Sequence, residues 1–87
     1  MVKFEHIINS ERGVHARPAG RLAQEANKFP DSRIVLKNVI NNEAIASSPL
    51  KVMQLELKKD DKVVVSVNGG NENEVAEKIK DLLQKHF

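Results

Sequence analysis

The spacing of apolar residues changes several times along this chain, and that alternation constrains the fold more than any other feature. Apolar residues at every second position mark a strand with one buried face, whereas a spacing near 3.6 residues marks an amphipathic helix. The run Val63–Val67 is the clearest strand pattern, and Leu22, Ala26 and Phe29 lie at helical spacing. Applied to all 87 residues, this criterion predicts the order strand, helix, strand, strand, helix, strand, helix.

The predicted elements have approximate ends. In chain order they are strand Val2–Ile8, helix Ala16–Lys28, strand Ile34–Val39, a hairpin turn at Asn41–Asn42, strand Ala44–Ala46, helix Pro49–Leu55, strand Val63–Val67 and helix Glu72–Lys85. Helices on one face of a mixed or antiparallel sheet would give an α+β open sandwich. No repeat or linker divides the chain, so we expect a single domain over residues 1–87.

The predicted helix starts carry recognisable signals. Pro18 suits the first turn of the first helix because its missing N–H would have no partner there. Ser48 followed by Pro49 is typical of an N-cap and a first helical position. Asn71 with Glu74 three residues later resembles a capping box, in which each side chain accepts the other residue's backbone N–H. We therefore expect the three helices to begin close to these residues.

Composition disfavours several classes of function. The formal net charge is only +2 and the aromatic residues are three phenylalanines, which disfavours nucleic-acid binding and leaves a small RNA-binding domain as a third hypothesis. The absence of cysteine excludes disulfides, thiolate chemistry and cysteine-ligated zinc. Charges interrupt the first apolar residues and no stretch is long enough to span a membrane, so we expect a cytoplasmic protein without membrane contact.

The segment Gly13–Ala19 carries the chemistry, because a glycine-containing loop enters a helix there. The first turn of a helix presents unpaired backbone N–H groups and the positive end of the helix dipole to an anion. His15 can attack phosphorus as a nucleophile, while Arg17 and the amides of Ala16 and Arg17 would balance the charge of a phosphoryl group. The alternative is that His15 is an exposed cap and Arg17 a surface charge.

The segment Gly13–Ala19, with the sequence Gly-Val-His-Ala-Arg-Pro-Ala, resembles the active-site signature of HPr, the histidine-containing phosphocarrier of the bacterial phosphoenolpyruvate-dependent sugar phosphotransferase system. The resemblance extends over the chain length, the element order, Val52–Met53 in the short helix and Gly70–Glu74 before the last helix. It implies an open-faced β-sandwich of four strands, mainly antiparallel, and three helices.

The resemblance also implies roles for individual residues. By the match, Nδ1 of His15 accepts phosphate from phosphorylated enzyme I and passes it to enzyme IIA domains, Arg17 stabilises the phosphate, and Pro18 sets the helix start. A transfer protein with a phosphohistidine intermediate, rather than a stand-alone enzyme, is implied. The family implies no metal or bound cofactor, and a monomer is the default for a transient carrier.

Ser48 matches the serine that an HPr kinase phosphorylates in many family members. Phosphate there would add negative charge beside the docking face and weaken partner binding. The alternative is that Ser48 only caps the second helix. The sequence departs from the family nearby, because Pro49 and Leu50 replace the usual Ile-Met and Lys51 replaces a glycine.

Two further departures are Glu56 and Asp60, which stand where glycines are common in the family. The changes around Ser48 motivate an alternative function, a regulatory HPr-like binding module for a transcription factor or metabolic enzyme. In that case transport would be secondary.

The short helix cannot point every apolar residue inward. If Val52 and Leu55 pack on the sheet, Leu50 and Met53 face outward near His15 and form a docking patch. The alternative is that Leu50 and Met53 belong to the core.

Overall fold

The computed structural model describes all 87 residues, which form seven elements of secondary structure. They are β1 (Val2–Ile7), α1 (Ala16–Ala26), β2 (Arg33–Lys37), β3 (Glu43–Ile45), α2 (Pro49–Gln54), β4 (Lys62–Asn68) and α3 (Glu72–His86). The strands form one sheet in the order β1-β4-β2-β3, and every neighbouring pair is antiparallel. The expected α+β open-faced sandwich is therefore confirmed.

Alternation along β4 explains why the sheet has one covered face. Val63, Val65 and Val67 are fully buried, whereas Val64 and Ser66 between them are only partly covered. Burial of this valine row against the helices stabilises the fold through the removal of apolar surface from water. Nineteen buried residues from strands, helices and loops form one continuous hydrophobic cluster. None of the helices combines the length and apolar character that a membrane span requires.

The second strand ends earlier than predicted, and Val39 is not part of it. The side chain of the buried residue Asn38 makes hydrogen bonds here in place of the bonds between strands. Its Oδ1 accepts the N–H groups of Ile40 and Asn42 at 3.1 and 2.9 Å, and its Nδ2 donates to the Leu55 carbonyl at 3.1 Å. Val39 therefore lies in the turn and is 64% exposed. Asparagine side chains commonly compete with sheet hydrogen bonds in this way.

The predicted capping box at α3 is wrong. Asn71 occupies the N-cap position, but its side chain makes no cap bond and Nδ2 donates to the Glu74 carboxylate at 2.8 Å. The Glu72 carboxylate instead accepts the Gly69 N–H at 2.7 Å, and this bond lowers the pKa of Glu72. The first helical residue thus holds the loop before α3, and the N-cap side chain makes no bond to the helix backbone.

The half-buried His6 in β1 makes the stability pH-dependent. Its Nε2 atom is buried without a hydrogen-bond partner, and burial lowers the pKa of the imidazole below 6.5, an effect that the backbone of Phe87 partly offsets. The unfolded chain therefore binds a proton at a higher pH than the folded chain does. We expect the free energy of unfolding to decrease as the pH falls through and below 6.5.

Urea titrations of the wild type and His6→Gln, between about pH 7.5 and about pH 5, measure this effect. The wild type should lose more stability than the variant over that range. Equal losses would show that His6 does not contribute.

Candidate functional site

His15 occupies the N-cap position of α1, but its imidazole does not cap the helix. The residue is extended (φ −115°, ψ −170°), and its carbonyl oxygen accepts the Ala19 N–H at 3.1 Å. Its side chain makes no capping hydrogen bond and is exposed to solvent. The backbone of His15 therefore starts the helix while the ring stays available for chemistry.

The first turn of α1 has the properties of an anion site. The N–H groups of Ala16 and Arg17 have no backbone acceptor, Pro18 has no N–H, and the first turn contains no acidic residue. The Arg17 side chain is exposed and belongs to no ion pair in the structure. Two free amides and one free guanidinium thus follow His15 directly, a set of donors that suits phosphate oxygens.

The loop that presents His15 is held by a second loop far away in sequence. The Val14 N–H donates to the Leu57 carbonyl at 3.1 Å, and Gly13 adopts φ +68° with its N–H bonded to the Ser10 carbonyl at 3.0 Å. A Cβ at Gly13 would overlap the Leu57 carbonyl oxygen. Both the conformation and the close approach therefore require glycine at this position.

Two more hydrogen bonds join the same loops. The Ile8 N–H donates to the Asp61 carbonyl and the Asp60 N–H donates to the Ile8 carbonyl, both at 2.8 Å. Residues 8–14 and 56–61 consequently form one paired unit beneath the candidate site.

Phe87 supports this loop, a role that was not predicted from the sequence. The Phe87 side chain is buried in the core, and its main-chain oxygen accepts the N–H groups of Asn9 and Ser10 at 2.6 and 3.2 Å. In the sequence, Phe87 lies one helical turn beyond Leu83, the last residue of the apolar stripe of α3. This spacing indicated core packing but not contact with the loop before His15.

Helix α2 contacts α1 and presents a mixed surface. Val52 and Leu55 are buried as expected, and Leu50 is 62% exposed. The prediction that Met53 faces outward is only half right, because Met53 is partly buried and packs against the core.

Ser48 is the N-cap of α2. Its Oγ accepts the Lys51 N–H at 3.4 Å, a long bond, and Pro49 follows as the first helical residue. Ser48 is partly exposed, so capping does not hide the hydroxyl. No group of three or more metal-ligating side chains lies together in the structure.

Comparison of the sequence with known proteins identifies the family of this chain. Residues 2–85 match the family model PTS-HPr, described as "PTS HPr component phosphorylation site". The chain belongs to the HPr family. The phosphocarrier protein HPr of Mycoplasma pneumoniae is 35% identical over 86 residues, which cover 99% of this chain and 97% of the relative.

Solved HPr structures share the fold described above. The structure of HPr from Thermoanaerobacter tengcongensis has a TM-score of 0.89 and 31% identity, covering 100% of this chain and 96% of that one. The catabolite repression protein Crh of Bacillus subtilis, described as a domain-swapped dimer, has a TM-score of 0.77 and 29% identity, with 100% and 98% covered. The resemblance to the HPr family inferred from the sequence is confirmed.

Proposed function

We propose that residues 1–87 act as a single, cytoplasmic HPr domain that accepts a phosphoryl group on Nδ1 of His15 from phosphorylated enzyme I and passes it to an enzyme IIA domain. The observation that carries the proposal is the exposed imidazole of His15, which makes no capping bond and stands before two unpaired amides. The HPr family is the second support, because its members are phosphocarriers.

The transfer needs only groups that the chain and its partner supply. The lone pair of Nδ1 attacks phosphorus, the Nδ1–P bond forms, and the bond between phosphorus and the donor atom of enzyme I breaks with its electron pair left on that atom. Arg17 and the amides of Ala16 and Arg17 offset the charge on the phosphoryl oxygens. Transfer to enzyme IIA repeats the displacement with the phosphohistidine as donor.

The exposure of the site fits a carrier. His15, Ala16 and Arg17 all lie open to solvent, so a partner can reach the ring directly and exclude water only while it is bound. The partner would dock on the surface around His15, and we assign Leu50, which is exposed, and Met53, which is partly exposed, to that contact.

The proposal is tested by incubating the chain with a trace of enzyme I and phosphoenolpyruvate. We expect one acid-labile phosphoryl group per chain, lost again when an unphosphorylated enzyme IIA is added. A chain that stays unphosphorylated, or that takes phosphate and cannot pass it on, would contradict the proposal.

Arg17→Ala should lower the rate of phosphorylation by roughly 100-fold, because a donor aimed at the transferred group is worth that much in comparable sites. Arg17→Lys should recover only part of the rate, since a lysine lacks the planar fork of the guanidinium. Rapid-quench measurements with phosphorylated enzyme I would give both rates. Arg33→Ala, at an exposed arginine at the start of β2, is the control and should leave the rate unchanged.

A regulatory binding module is the second candidate function. It is favoured by Pro49 directly after Ser48 and by the likeness to Crh. An HPr kinase and a transcriptional regulator would then be the partners. Rapid transfer to enzyme IIA, together with no incorporation of phosphate at Ser48 by HPr kinase and ATP, would remove the basis for this candidate.

A further inference from the structure

Glu56 has a backbone conformation that disfavours every residue with a Cβ. It follows Leu55, the C-cap of α2, and adopts φ +54°, in the left-handed region that glycine occupies most readily. Its N–H donates to the Met53 carbonyl at 3.1 Å, so the conformation closes the end of the helix. Glycine would make the same turn with less strain.

The Glu56 side chain does not compensate for this conformation within the chain. It is exposed, takes part in no ion pair and makes no hydrogen bond in the structure. Its negative charge also lies beside the last carbonyl groups of α2, where the helix dipole favours a cation. The Glu56 residue therefore lowers the stability of the fold, and its carboxylate makes no interaction within the chain that would offset this loss. This points to an interaction with another molecule.

The position of Glu56 suggests that role. The next residue, Leu57, accepts the Val14 N–H at 3.1 Å, and Val14 precedes His15. Glu56 is the only acidic residue within residues 12–24 and 47–56, and Glu11, Glu25, Asp60 and Asp61 lie just outside these ranges. Four exposed basic residues without ion pairs share these segments, namely Arg12, Arg17, Arg21 and Lys51.

We propose that Glu56 is a specificity-determining residue that forms an ion pair with a lysine or arginine of the protein exchanging the phosphoryl group with His15. The inference rests on the proposed function, because the partner must dock around His15. Beside these unpaired basic residues, the Glu56 carboxylate would fix where the partner can place a cation of its own. A partner with an acidic residue at that point would be rejected.

The test compares Glu56→Gln, Glu56→Asp and Glu56→Gly in transfer from phosphorylated enzyme I and to enzyme IIA, with kcat and KM measured separately at low and high salt. Glu56→Gln should raise KM about three- to ten-fold for at least one partner at low salt, with kcat nearly unchanged, and the difference should shrink at high salt. Glu56→Asp should retain most of the wild-type KM. Glu43→Gln, a charge-matched change on β3 at the open face of the sheet, should have no effect.

A stability measurement separates docking from folding. Glu56→Gly should raise the thermal midpoint while raising KM as Glu56→Gln does, since relief of strain and loss of the ion pair are independent effects. Unchanged KM for Glu56→Gln with both partners, or a lower thermal midpoint in Glu56→Gly, would overturn the role of Glu56 alone. A wild-type chain that accepts no phosphate would overturn the proposed function and this inference together.

Discussion

A chain with alanine in place of His15 should accept no phosphoryl group from enzyme I and should unfold at the same denaturant concentration as the wild type. The imidazole is exposed and makes no capping bond, so its removal takes away the nucleophile without removing a contact of the fold. The helix start also survives, because the main chain of residue 15 supplies the bond to the Ala19 N–H. Labelled phosphoenolpyruvate and a denaturant titration measure the two quantities.

His86→Ala is the matched control, since His86 is also an exposed histidine but lies at the end of α3. It should take up phosphate at the wild-type rate. Label retained in His15→Ala would mean that another residue is the acceptor, and a large loss of stability would mean that the ring has a structural role.

Gly13→Ala should lower the free energy of unfolding by about 2–3 kcal/mol. Part of this is the cost of φ +68° for a residue with a Cβ, about 1–2 kcal/mol. The rest comes from the overlap with the Leu57 carbonyl oxygen, which would weaken the bond from the Val14 N–H, worth about 1 kcal/mol. Phosphorylation should slow as well, because this bond holds the residue next to His15.

Gly20→Ala provides the comparison. Gly20 lies inside α1, and a Cβ there meets nothing within 4 Å. The substitution should raise the free energy of unfolding by about 0.5–1 kcal/mol, because alanine is the better helix former. Urea titrations of both variants test the argument. A Gly13→Ala chain as stable as the wild type would show that the loop can adopt another conformation.

The order and type of the elements could be predicted from the sequence because burial imposes a strict period. The valines of β4 alternate between a buried and a half-covered face, and α1 buries Leu22, Ala23 and Ala26 on one side. Each of these patterns can be recognised from the residues of a single strand or helix. The position of His15 at a helix start followed from the same local information, aided by Pro18.

Features decided by side-chain hydrogen bonds or long-range contacts could not be predicted in this way. Asn38 ends β2 through its own amide group, and Glu72 binds the Gly69 N–H before α3 while Asn71 makes no cap bond. The support of the His15 loop by Leu57 and Phe87 joins segments more than forty residues apart. No local pattern contains such pairings.

The departures at Glu56 and Asp60 are an intermediate case. The resemblance to the HPr family implies glycine at both positions, and both residues adopt positive φ values, 54° and 73°. The expected residue type therefore indicated the backbone conformation correctly, although the residues present are not glycines.

Phosphohistidine mapping identifies the atom that accepts the phosphoryl group. The chain is phosphorylated with enzyme I and phosphoenolpyruvate, and ¹H–¹⁵N NMR of the histidine rings identifies the modified nitrogen. We expect a single phosphoryl group on Nδ1 of His15, with His6 and His86 unmodified. Phosphate on another residue, or none at all, would contradict the proposed role of His15.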